Sequence, residues 1–333
     1  MGVERIFNGN VVKKKSVCAV VVTYNRMKYL INTLSALHTQ TYSLSAILIV
    51  DNNSSDGTRE LLWNKGFINY VAEDTVSEKT VNGVNYIYYR SSENSGGAGG
   101  FNKGIEVASK MNFDYLWCMD DDVLPDNDCL EELMKYISED ARICLPSRTD
   151  KNFKDHAITK VNMSNPFKYL IGARKTYVYN DEIQSDTIQV VDMPFEGPLI
   201  ALTLVKEIGL PKKELFILFD DSEYAMRASK VTKILYCKSA IMHRQVLPQK
   251  DIGSLMNWKN YYDYRNQIWY DRTYGENIFV KRVRPVLLFV DVLARSVVKR
   301  RWLNIKVINK AYRDGISGNL GKTVEPGTNA TDF

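Results

Sequence analysis

The sequence predicts an α/β fold, a mixed and mostly parallel sheet flanked by helices, with a helical extension at the C-terminal end. Short apolar runs rich in β-branched residues alternate with segments of helical spacing, and each run ends in polar residues, as βαβ units do. Beyond residue 255 the strand-like runs give way to long aromatic and apolar helical segments. We therefore expect a domain at 1–250, a helical region at 251–321 and a disordered tail at 322–333.

Length and composition limit the classes of protein that fit this prediction. Hydrophobic residues make up 45% and charged residues 25% of the 333 positions, which is typical of a folded soluble protein and excludes a disordered chain. The five cysteines form no C-x-x-C pair, so we expect reduced thiols and a cytoplasmic location. We expect neither a signal peptide nor a transmembrane helix, because no apolar run reaches roughly 18 residues.

The first two predicted strands each lead into a polar cluster. Residues 17–22 form a continuous apolar run, typical of a central parallel strand, and a helix is predicted from 27 to about 39. Residues 46–50 form the second strand, which ends in the polar segment 51–58. The cluster after the first strand consists of Thr23, Tyr24, Asn25 and Arg26. Because ligands bind at the carboxyl ends of strands in such sheets, we expect both clusters to line a site.

A glycine-rich segment at 94–104 follows the third predicted strand, residues 86–89. Glycines permit close approach of the backbone to a ligand, and the amides at a helix start can bind an anionic group. The segment lacks the Gly-Lys-Ser/Thr of a Walker motif, and a dinucleotide fingerprint would follow the first strand rather than the third. A flexible turn without a ligand is the alternative interpretation.

Three consecutive aspartates, Asp120, Asp121 and Asp122, end the aromatic strand-like run at 113–119. Each carboxylate would cost on the order of several kcal/mol if it were buried without a counter-charge. A divalent cation compensates such a cluster, and hard oxygen ligands suit Mg²⁺ or Mn²⁺. The alternative is a solvated acidic turn that caps the helix beginning near Asp126.

Two further positions carry side chains suited to catalysis or metal binding. Asp221 and Glu223 fit the first turn of a helix, where acids also have a purely structural role beside the helix dipole. His243 follows the last predicted strand, residues 234–241. If that strand returns to the aspartate cluster, the imidazole is a suitable Mn²⁺ ligand; a structural histidine is the alternative.

The net charge of +5 is distributed unevenly. Residues 281–313 contain ten Lys/Arg and one Asp, so this segment carries +9 and the rest of the chain −4. Within it, residues 285–298 form a helix with a wide apolar face and a basic rim, as interfacial helices have. We expect an anionic membrane surface as the partner of 281–313, on the inner face of the cell membrane, and no nucleic acid. Packing on the main domain, or a homodimer, is the alternative.

Taken in order, these clusters resemble those of the inverting glycosyltransferase family 2, whose members have the GT-A fold, a Rossmann-like nucleotide-diphospho-sugar transferase architecture. The resemblance covers residues 17–244. The matching segments are Val-Val-Thr-Tyr-Asn-Arg, Val-Asp-Asn-Asn-Ser-Ser-Asp-Gly-Thr, Asn-Ser-Gly-Gly-Ala-Gly-Gly-Phe-Asn-Lys-Gly, Met-Asp-Asp-Asp and Phe-Asp-Asp-Ser-Glu-Tyr-Ala-Met-Arg, with His243 completing the set. The glycine-rich segment, the Asp triplet, Arg265-Asn266 and the basic tail are most similar to the galactofuranosyltransferase and rhamnosyltransferase branch.

The resemblance implies a nucleotide-sugar donor, with UDP-galactofuranose or another UDP-sugar favoured and dTDP-rhamnose as the alternative. The implied donor-binding residues are Thr23, Tyr24, Asn25, Arg26, Asp51, Asn94, Gly97, Asn102, Asp120 and Asp121. Asp51 would accept a hydrogen bond from the imide of the base. The implied ligands of Mn²⁺ or Mg²⁺ on the diphosphate are Asp120, Asp122 and His243.

The resemblance also implies that Asp221 is the general base of a single in-line displacement with inversion. An aspartate with its ordinary pKa near 4 is ionised at neutral pH and can accept the proton of an acceptor hydroxyl. The residues expected to border the acceptor are Glu196, Gly197 and Asp220. The acceptor would be a glycan or a lipid-linked molecule in cell-surface polysaccharide or glycoconjugate synthesis.

Three other classes of protein fit parts of the pattern. A nucleotidyltransferase would carry a glycine-rich basic loop after the first strand, where this sequence has Thr-Tyr-Asn-Arg. A metal-dependent phosphohydrolase would release sugar or phosphate without an acceptor. A membrane-docked scaffold with a degenerate active site would have little reason to keep so many acidic residues at 120–122 and 220–221.

Overall fold

A computed structural model of the chain describes residues 14–150, 153–246 and 255–333, together with the backbone of two short strands nearer the N-terminus. The strands are β1 (Ile6–Phe7), β2 (Asn10–Val11), β3 (Val17–Thr23), β4 (Ala46–Asp51), β5 (Val76–Val81), β6 (Val84–Arg90), β7 (Tyr115–Asp120), β8 (Val123–Pro125), β9 (Ile143–Ser147), β10 (His156–Val161), β11 (Lys175–Tyr179), β12 (Thr187–Val190), β13 (Leu199–Ala201) and β14 (Ile234–Arg244). The helices are α1 (Met27–His38), α2 (Thr58–Asn64), α3 (Gly96–Ser109), α4 (Cys129–Met134), α5 (Ile171–Arg174), α6 (Leu202–Ile208), α7 (Asp220–Ala228), α8 (Trp258–Tyr274), α9 (Ile278–Val298) and α10 (Asn304–Ser317).

The main sheet confirms the predicted mixed, mostly parallel architecture. Its strand order is β12-β14-β9-β13-β7-β3-β4-β6-β5, and β8 pairs with β14. Strands β7, β3, β4 and β6 run parallel to one another, as do β9 and β14, whereas β13 is antiparallel to both of its neighbours. The carboxyl ends of four neighbouring strands therefore meet at one edge, where the polar clusters lie.

Strand β3 is buried along its whole length because helices cover both faces of the sheet. On one face, Val20 and Val22 pack in the same core as residues of α3. On the other face, Val21 packs with Leu30 and Leu34 of α1. A Cβ placed on Gly100 would lie 2.5 Å from a methyl carbon of Val22. Part of the glycine-rich segment therefore allows α3 to lie close to the sheet.

The segment 322–333 packs against α8, and the prediction that it is disordered is wrong. Val324 is 8% exposed and Ala330 is fully buried. The Tyr262 hydroxyl donates to the carbonyl oxygen of Val324 at 2.8 Å, and the backbone NH of Trp258 donates to that of Thr328 at 2.9 Å. Apolar contacts with α8, which is distant in the sequence, order a segment whose composition alone is typical of a loop.

A buried ion triad joins the hairpin of β10 and β11 to the C-terminal helices. Asp271 of α8 accepts from Arg174 at 2.9 Å and from Arg284 of α9 at 3.1 Å, and all three side chains are almost fully buried. The triad needs both arginines, because a buried carboxylate without partners is strongly destabilising. It fixes the start of β11, where Lys175 lies, relative to α8.

Candidate active site

The polar clusters of β3, β4, β6 and β7 come together at the carboxyl edge of the sheet, as the sequence predicts. The Thr23 hydroxyl donates to Asp121 Oδ2 at 2.6 Å, which joins the ends of β3 and β7. The side-chain amide of Asn52, after β4, donates to Asn94 Oδ1 at 3.1 Å, in the turn between β6 and α3. These hydrogen bonds join the polar residues at the four strand ends in pairs, β3 with β7 and β4 with the turn after β6.

Asp121 is the most buried member of the aspartate triplet, with 2% exposure. Besides the Thr23 hydroxyl, it accepts from the backbone NH of Tyr24 at 3.3 Å and from Arg26 at 3.4 Å. Burial raises the pKa of Asp121 to about 6, although the Thr23 hydrogen bond and the Arg26 charge oppose the shift. Its carboxylate therefore holds the loop after β3 in place.

Asp120 and Asp122 lie on either side of it with less compensation. Asp122 forms an ion pair with Arg26. Burial and the negative charges of Glu196, Asp122 and Asp121 raise the pKa of Asp120 well above its ordinary value. Burial also raises the pKa of Asp122, against the opposing charge of Arg26. When all three carboxylates are ionised, the single charge of Arg26 does not neutralise them.

This excess charge fits a divalent cation that is held partly by its substrate. Within residues 14–150, 153–246 and 255–333, no group of three or more His, Cys, Asp or Glu side chains is placed to bind a metal ion by itself. Mg²⁺ commonly takes one or two carboxylates and completes its shell with water and substrate phosphates. Asp120 and Asp122 can supply those carboxylates, and a diphosphate the remaining oxygens.

His243, expected as a third metal ligand, is occupied by carboxylates outside the aspartate triplet. Its Nε2 atom is 2.9 Å from Asp126 Oδ1, and its Nδ1 atom is 3.2 Å from Asp150 Oδ2. Both ring nitrogens therefore face other carboxylates. The neighbouring side chain in β14, Arg244, is the one that turns towards the site.

The resemblance implies that Asp51 contacts the nucleobase. In this structure, however, the Asp51 side chain is fully buried. Its Oδ1 atom accepts from the backbone NH of Ser54 at 2.7 Å. Its Oδ2 atom accepts from the Tyr88 hydroxyl and from Arg90, each at 2.8 Å. Arg90 also donates to Asn53 at 2.8 Å. Asp51 thus shapes the loop after β4, and it is the loop that borders the open surface.

Asn94, Gly97 and Asn102, all expected to bind the donor, lie in the turn into α3 and in the first part of that helix. Asn94 Oδ1 accepts from the backbone NH of Gly96 at 2.9 Å, which fixes the start of the helix. A Cβ placed on Gly97 would meet no atom within 4 Å, so the backbone there faces open space. Asn102 donates to the carbonyl oxygen of Pro211 at 2.6 Å, and it lines the same cavity as Asn94. This cavity, of about 410 Å³, opens beside the turn.

Glu196 and Gly197, expected at the acceptor, lie in the turn before β13. Glu196 accepts from Arg148 at 3.1 Å and from Arg244 at 2.7 and 2.8 Å. Gly197 has a φ of +97°, and a Cβ there would lie 2.7 Å from side-chain atoms of Met242 and Pro146. No local sequence pattern singles out the two arginines, although Arg244 directly follows His243.

Asp221 begins α7, and its environment differs from the one assumed for an ordinary aspartate. Burial and the charges of Asp220 and Asp192 raise its pKa, whereas the hydrogen bond from the Ser222 NH and the charge of Lys175 lower it. Asp220 is buried as well, with 7% exposure. The expectation of a pKa near 4 is therefore wrong, because three acidic groups share a region of low solvent access.

Lys175 and Asp192 form an ion pair whose charges both act on Asp221. The sequence did not predict this pair. Their charged atoms are 2.6 Å apart, and Lys175 is mostly buried. Asp192 lies four positions before Glu196, the residue whose charge acts on Asp120. The segment from 192 to 196 therefore borders both acidic groups. No local pattern signals this, because Lys175 belongs to the hairpin of β10 and β11.

The turn that precedes Asp221 has an unusual backbone and is held by α8. Phe216, Leu218 and Phe219 have φ angles of 66°, 66° and 69°. Residues other than glycine seldom occupy this region of backbone conformation. Asn266 of α8 donates from its amide to the carbonyl oxygens of Leu215, Ile217 and Leu218 at 2.9–3.0 Å. Arg265 donates to that of Leu215 at 2.9 Å. The strained turn is thus stabilised from outside the sheet domain.

The fold is that of an α/β protein of the GT-A type. The structure is similar to that of GalNAc-T7 with UDP, GalNAc and Mn²⁺, with a TM-score of 0.55 and 14% identity over 81% of this chain and 54% of the other. It is also similar to the mannosyltransferase PcManGT from Pyrobaculum calidifontis in complex with GDP-Man and Mn²⁺, with a TM-score of 0.54 and 12% identity over 91% and 88%. At these identities the similarity shows the fold alone.

The chain belongs to glycosyl transferase family 2, whose family model matches residues 18–190, a little over half of the chain. Galactofuranosyltransferase GlfT1 of Mycolicibacterium smegmatis is 26% identical over 227 residues, which cover 63% of this chain and 64% of the relative. Poly-beta-1,6-N-acetyl-D-glucosamine synthase of Staphylococcus aureus is 26% identical over 134 residues, or 40% and 28% of the two chains. The matches thus span less than two thirds of either relative.

Proposed function

We propose that this protein is a metal-dependent, inverting hexosyltransferase that uses a UDP-sugar, with UDP-galactofuranose as the favoured donor. The acceptor would be a glycan or lipid-linked molecule in cell-surface polysaccharide or glycoconjugate synthesis. One observation carries the proposal: the segment 192–196 borders two acidic groups, because the charge of Glu196 acts on Asp120 and Asp122 and that of Asp192 acts on Asp221 at a helix start. The similarity to a galactofuranosyltransferase supports the donor, and the similarity to a polysaccharide synthase supports the product class.

The first acidic group suits the leaving diphosphate. Asp120 and Asp122 would hold Mn²⁺ or Mg²⁺, which when bound neutralises the charge that develops on the leaving group. Arg26 adds a fixed positive charge beside them. At the start of α3, the backbone at Gly97 faces open space, where its amide can meet an anionic group. Both solved structures described above contain Mn²⁺ with a nucleotide or nucleotide sugar, which is consistent with this arrangement.

The second acidic group suits the acceptor. Asp221 would take the proton of the attacking hydroxyl while the sugar–phosphate bond breaks, so that a single in-line displacement inverts the anomeric carbon. A raised pKa makes Asp221 a stronger base than an ordinary aspartate and places it nearer the working pH, as general-base catalysis favours. The positive charge of Lys175 opposes that rise in pKa.

The experiment is thermal unfolding with UDP, dTDP or GDP, each with and without Mn²⁺, followed by transfer assays with the sugar donor of the preferred nucleotide. A ligand at about 100 times its Kd adds ~2.7 kcal/mol to stability, a shift of a few degrees. We expect the largest shift with UDP and Mn²⁺ together. A preference for dTDP would move the donor to dTDP-rhamnose, and no shift with any nucleotide would contradict the proposal.

A transfer assay separates the proposal from metal-dependent phosphohydrolysis, in which water replaces the acceptor. The reaction is followed with and without a lipid-linked or oligosaccharide acceptor. Under the proposal, sugar appears on the acceptor and UDP release depends on it. Free sugar released at the same rate in both mixtures would favour the hydrolase.

A further inference from the structure

Helix α9 carries an apolar stripe on the side that faces away from the protein. Its members are three, four or seven residues apart, which places them on one face of a helix. They are Phe279, Val283, Val286, Val290 and Val297, with exposures of 60%, 38%, 43%, 52% and 40%. The stripe therefore runs nearly the full length of the 21-residue helix.

Packing among the described residues does not explain the stripe. The inward side of α9 is already filled by Val280, Arg284, Leu288, Val292 and Ser296, all buried at four-residue spacing. Leu288 and Val292 share a core with Ile268 of α8 and Ile308 of α10. At roughly 100° per residue, the exposed stripe lies on the opposite side of the helix from this core. Helix α9 is thus apolar on two opposite faces.

Basic and aromatic residues lie at both ends of the stripe. Lys281 and Arg282 follow Phe279 near the start of the helix. Lys299, Arg300 and Arg301 follow its last turn, beside Trp302, which is 59% exposed. The only acid between 281 and 313, Asp291, pairs with Arg295 on the same helix. Cations therefore flank an apolar surface whose two ends carry exposed aromatic rings.

We propose that α9 docks on an anionic lipid bilayer, with its outward stripe in the interfacial region and the basic ends at the headgroups. An amphipathic helix with this charge distribution binds in the plane of the interface, where aromatic side chains are also favoured. None of the helices among the described residues is long and apolar enough to cross a membrane. This inference does not depend on the identity of the donor or on the chemistry at Asp221.

A second copy of the same helix is a poorer occupant for electrostatic reasons. In an antiparallel pair, Lys281 and Arg282 would face Lys299, Arg300 and Arg301 of the other copy. In a parallel pair, each basic end would face itself. Both arrangements bring like charges together across an apolar seam, whereas an anionic surface complements both ends of the stripe at once.

The test is flotation of the full chain with phosphatidylcholine vesicles that contain about 30% phosphatidylglycerol, compared with pure phosphatidylcholine. We expect binding to the anionic vesicles only, with loss in about 0.5 M NaCl, where charges are strongly screened. The double variant V286D/V290D should lower the partition coefficient by roughly tenfold or more. A matched control, V76D/V231D, changes two valines of 44% and 43% exposure elsewhere and should leave binding within about twofold.

A second pair of variants tests the charges without touching the apolar stripe. R282Q/K299Q should weaken binding to anionic vesicles, and K65Q/K135Q, two exposed lysines of the sheet domain, should not. Equal binding to neutral and anionic vesicles, or equal binding by V286D/V290D and the native chain, would overturn the proposal. So would a dimer in light scattering that V286D/V290D dissociates, if the native chain does not float with the vesicles.

Discussion

The side-chain amide of Asn266, in α8, lies 2.9 Å from the carbonyl oxygen of Leu218, in the turn that leads to Asp221. This hydrogen bond joins the C-terminal helices to the acidic group of the sheet domain. Because Leu218 has a φ of 66°, the turn needs external support to keep this shape. The C-terminal helices are therefore part of the apparatus that positions the proposed base.

We expect Asn266→Asp to reduce transfer strongly, because a carboxylate cannot donate to three carbonyl oxygens. Loss of these bonds in a buried place should lower the free energy of unfolding by about 1–3 kcal/mol. The measurements are the rate of transfer, urea unfolding and the shift in Tm with UDP and Mn²⁺. Asn309→Asp, at an exposed position of α10, is the matched control. Unchanged transfer would show that the turn keeps its shape without Asn266.

The raised pKa of Asp221 gives opposite expectations for activity and stability. Asp221→Asn should lower kcat by ~10²–10⁴-fold while the UDP and Mn²⁺ shift persists. An acid whose folded pKa is raised contributes stability below its unfolded pKa and loses that contribution as pH rises through the folded pKa. At neutral pH we therefore expect Asp221→Asn to have a higher Tm than the native chain, and Asp140→Asn, an exposed control, to have neither effect. Near-native turnover would exclude Asp221 as the base.

Lys175 should set the pH at which the proposed base becomes active. Its positive charge lowers the pKa of Asp221, and it also neutralises Asp192, whose negative charge raises that pKa. Lys175→Met removes both effects, so the pKa of Asp221 rises further. The acid limb of the kcat/KM profile should then move to higher pH, with activity partly regained at alkaline pH. A uniform loss at every pH would indicate a structural role only.

Asp122 should determine the metal dependence of nucleotide binding. Asp122→Asn keeps the size of the side chain but weakens its binding to a divalent cation, so we expect the Mn²⁺-dependent part of the UDP shift in Tm to disappear. Replacing Asp126 by Asn provides the comparison, because that exposed carboxylate contacts His243 instead. Equal Mn²⁺ dependence in the native chain and in Asp122→Asn would exclude Asp122 as a ligand, and loss of that dependence in Asp126→Asn alone would return His243 to the metal site.

Removal of the C-terminal segment should destabilise the protein. Truncation after Lys322 exposes the surface against which Val324 and Ala330 pack and deprives the Tyr262 hydroxyl of its acceptor. We expect the free energy of unfolding to fall by roughly 2–5 kcal/mol. Urea unfolding of the shortened and native chains measures the difference. A disordered tail would leave the two curves superimposed.

The sequence by itself determined the sheet, the order of its polar clusters and the aspartate triplet. These features are local: the continuous apolar run of β3 predicts a strand covered on both faces, and the polar residues that follow each strand must lie at the same sheet edge. Family membership follows from the same local segments, which is why the resemblance over 17–244 agrees with the family match at 18–190.

The tertiary structure alone decided which partners each carboxylate has and how far it is buried. Asp51 is buried because Tyr88 and Arg90 of a neighbouring strand bind it, and His243 faces Asp126 and Asp150 rather than the triplet. The pKa of Asp221 rises through burial and through residues distant in sequence. Solvent access and the electric field of distant side chains are properties of the packed chain, and no run of neighbouring residues specifies them.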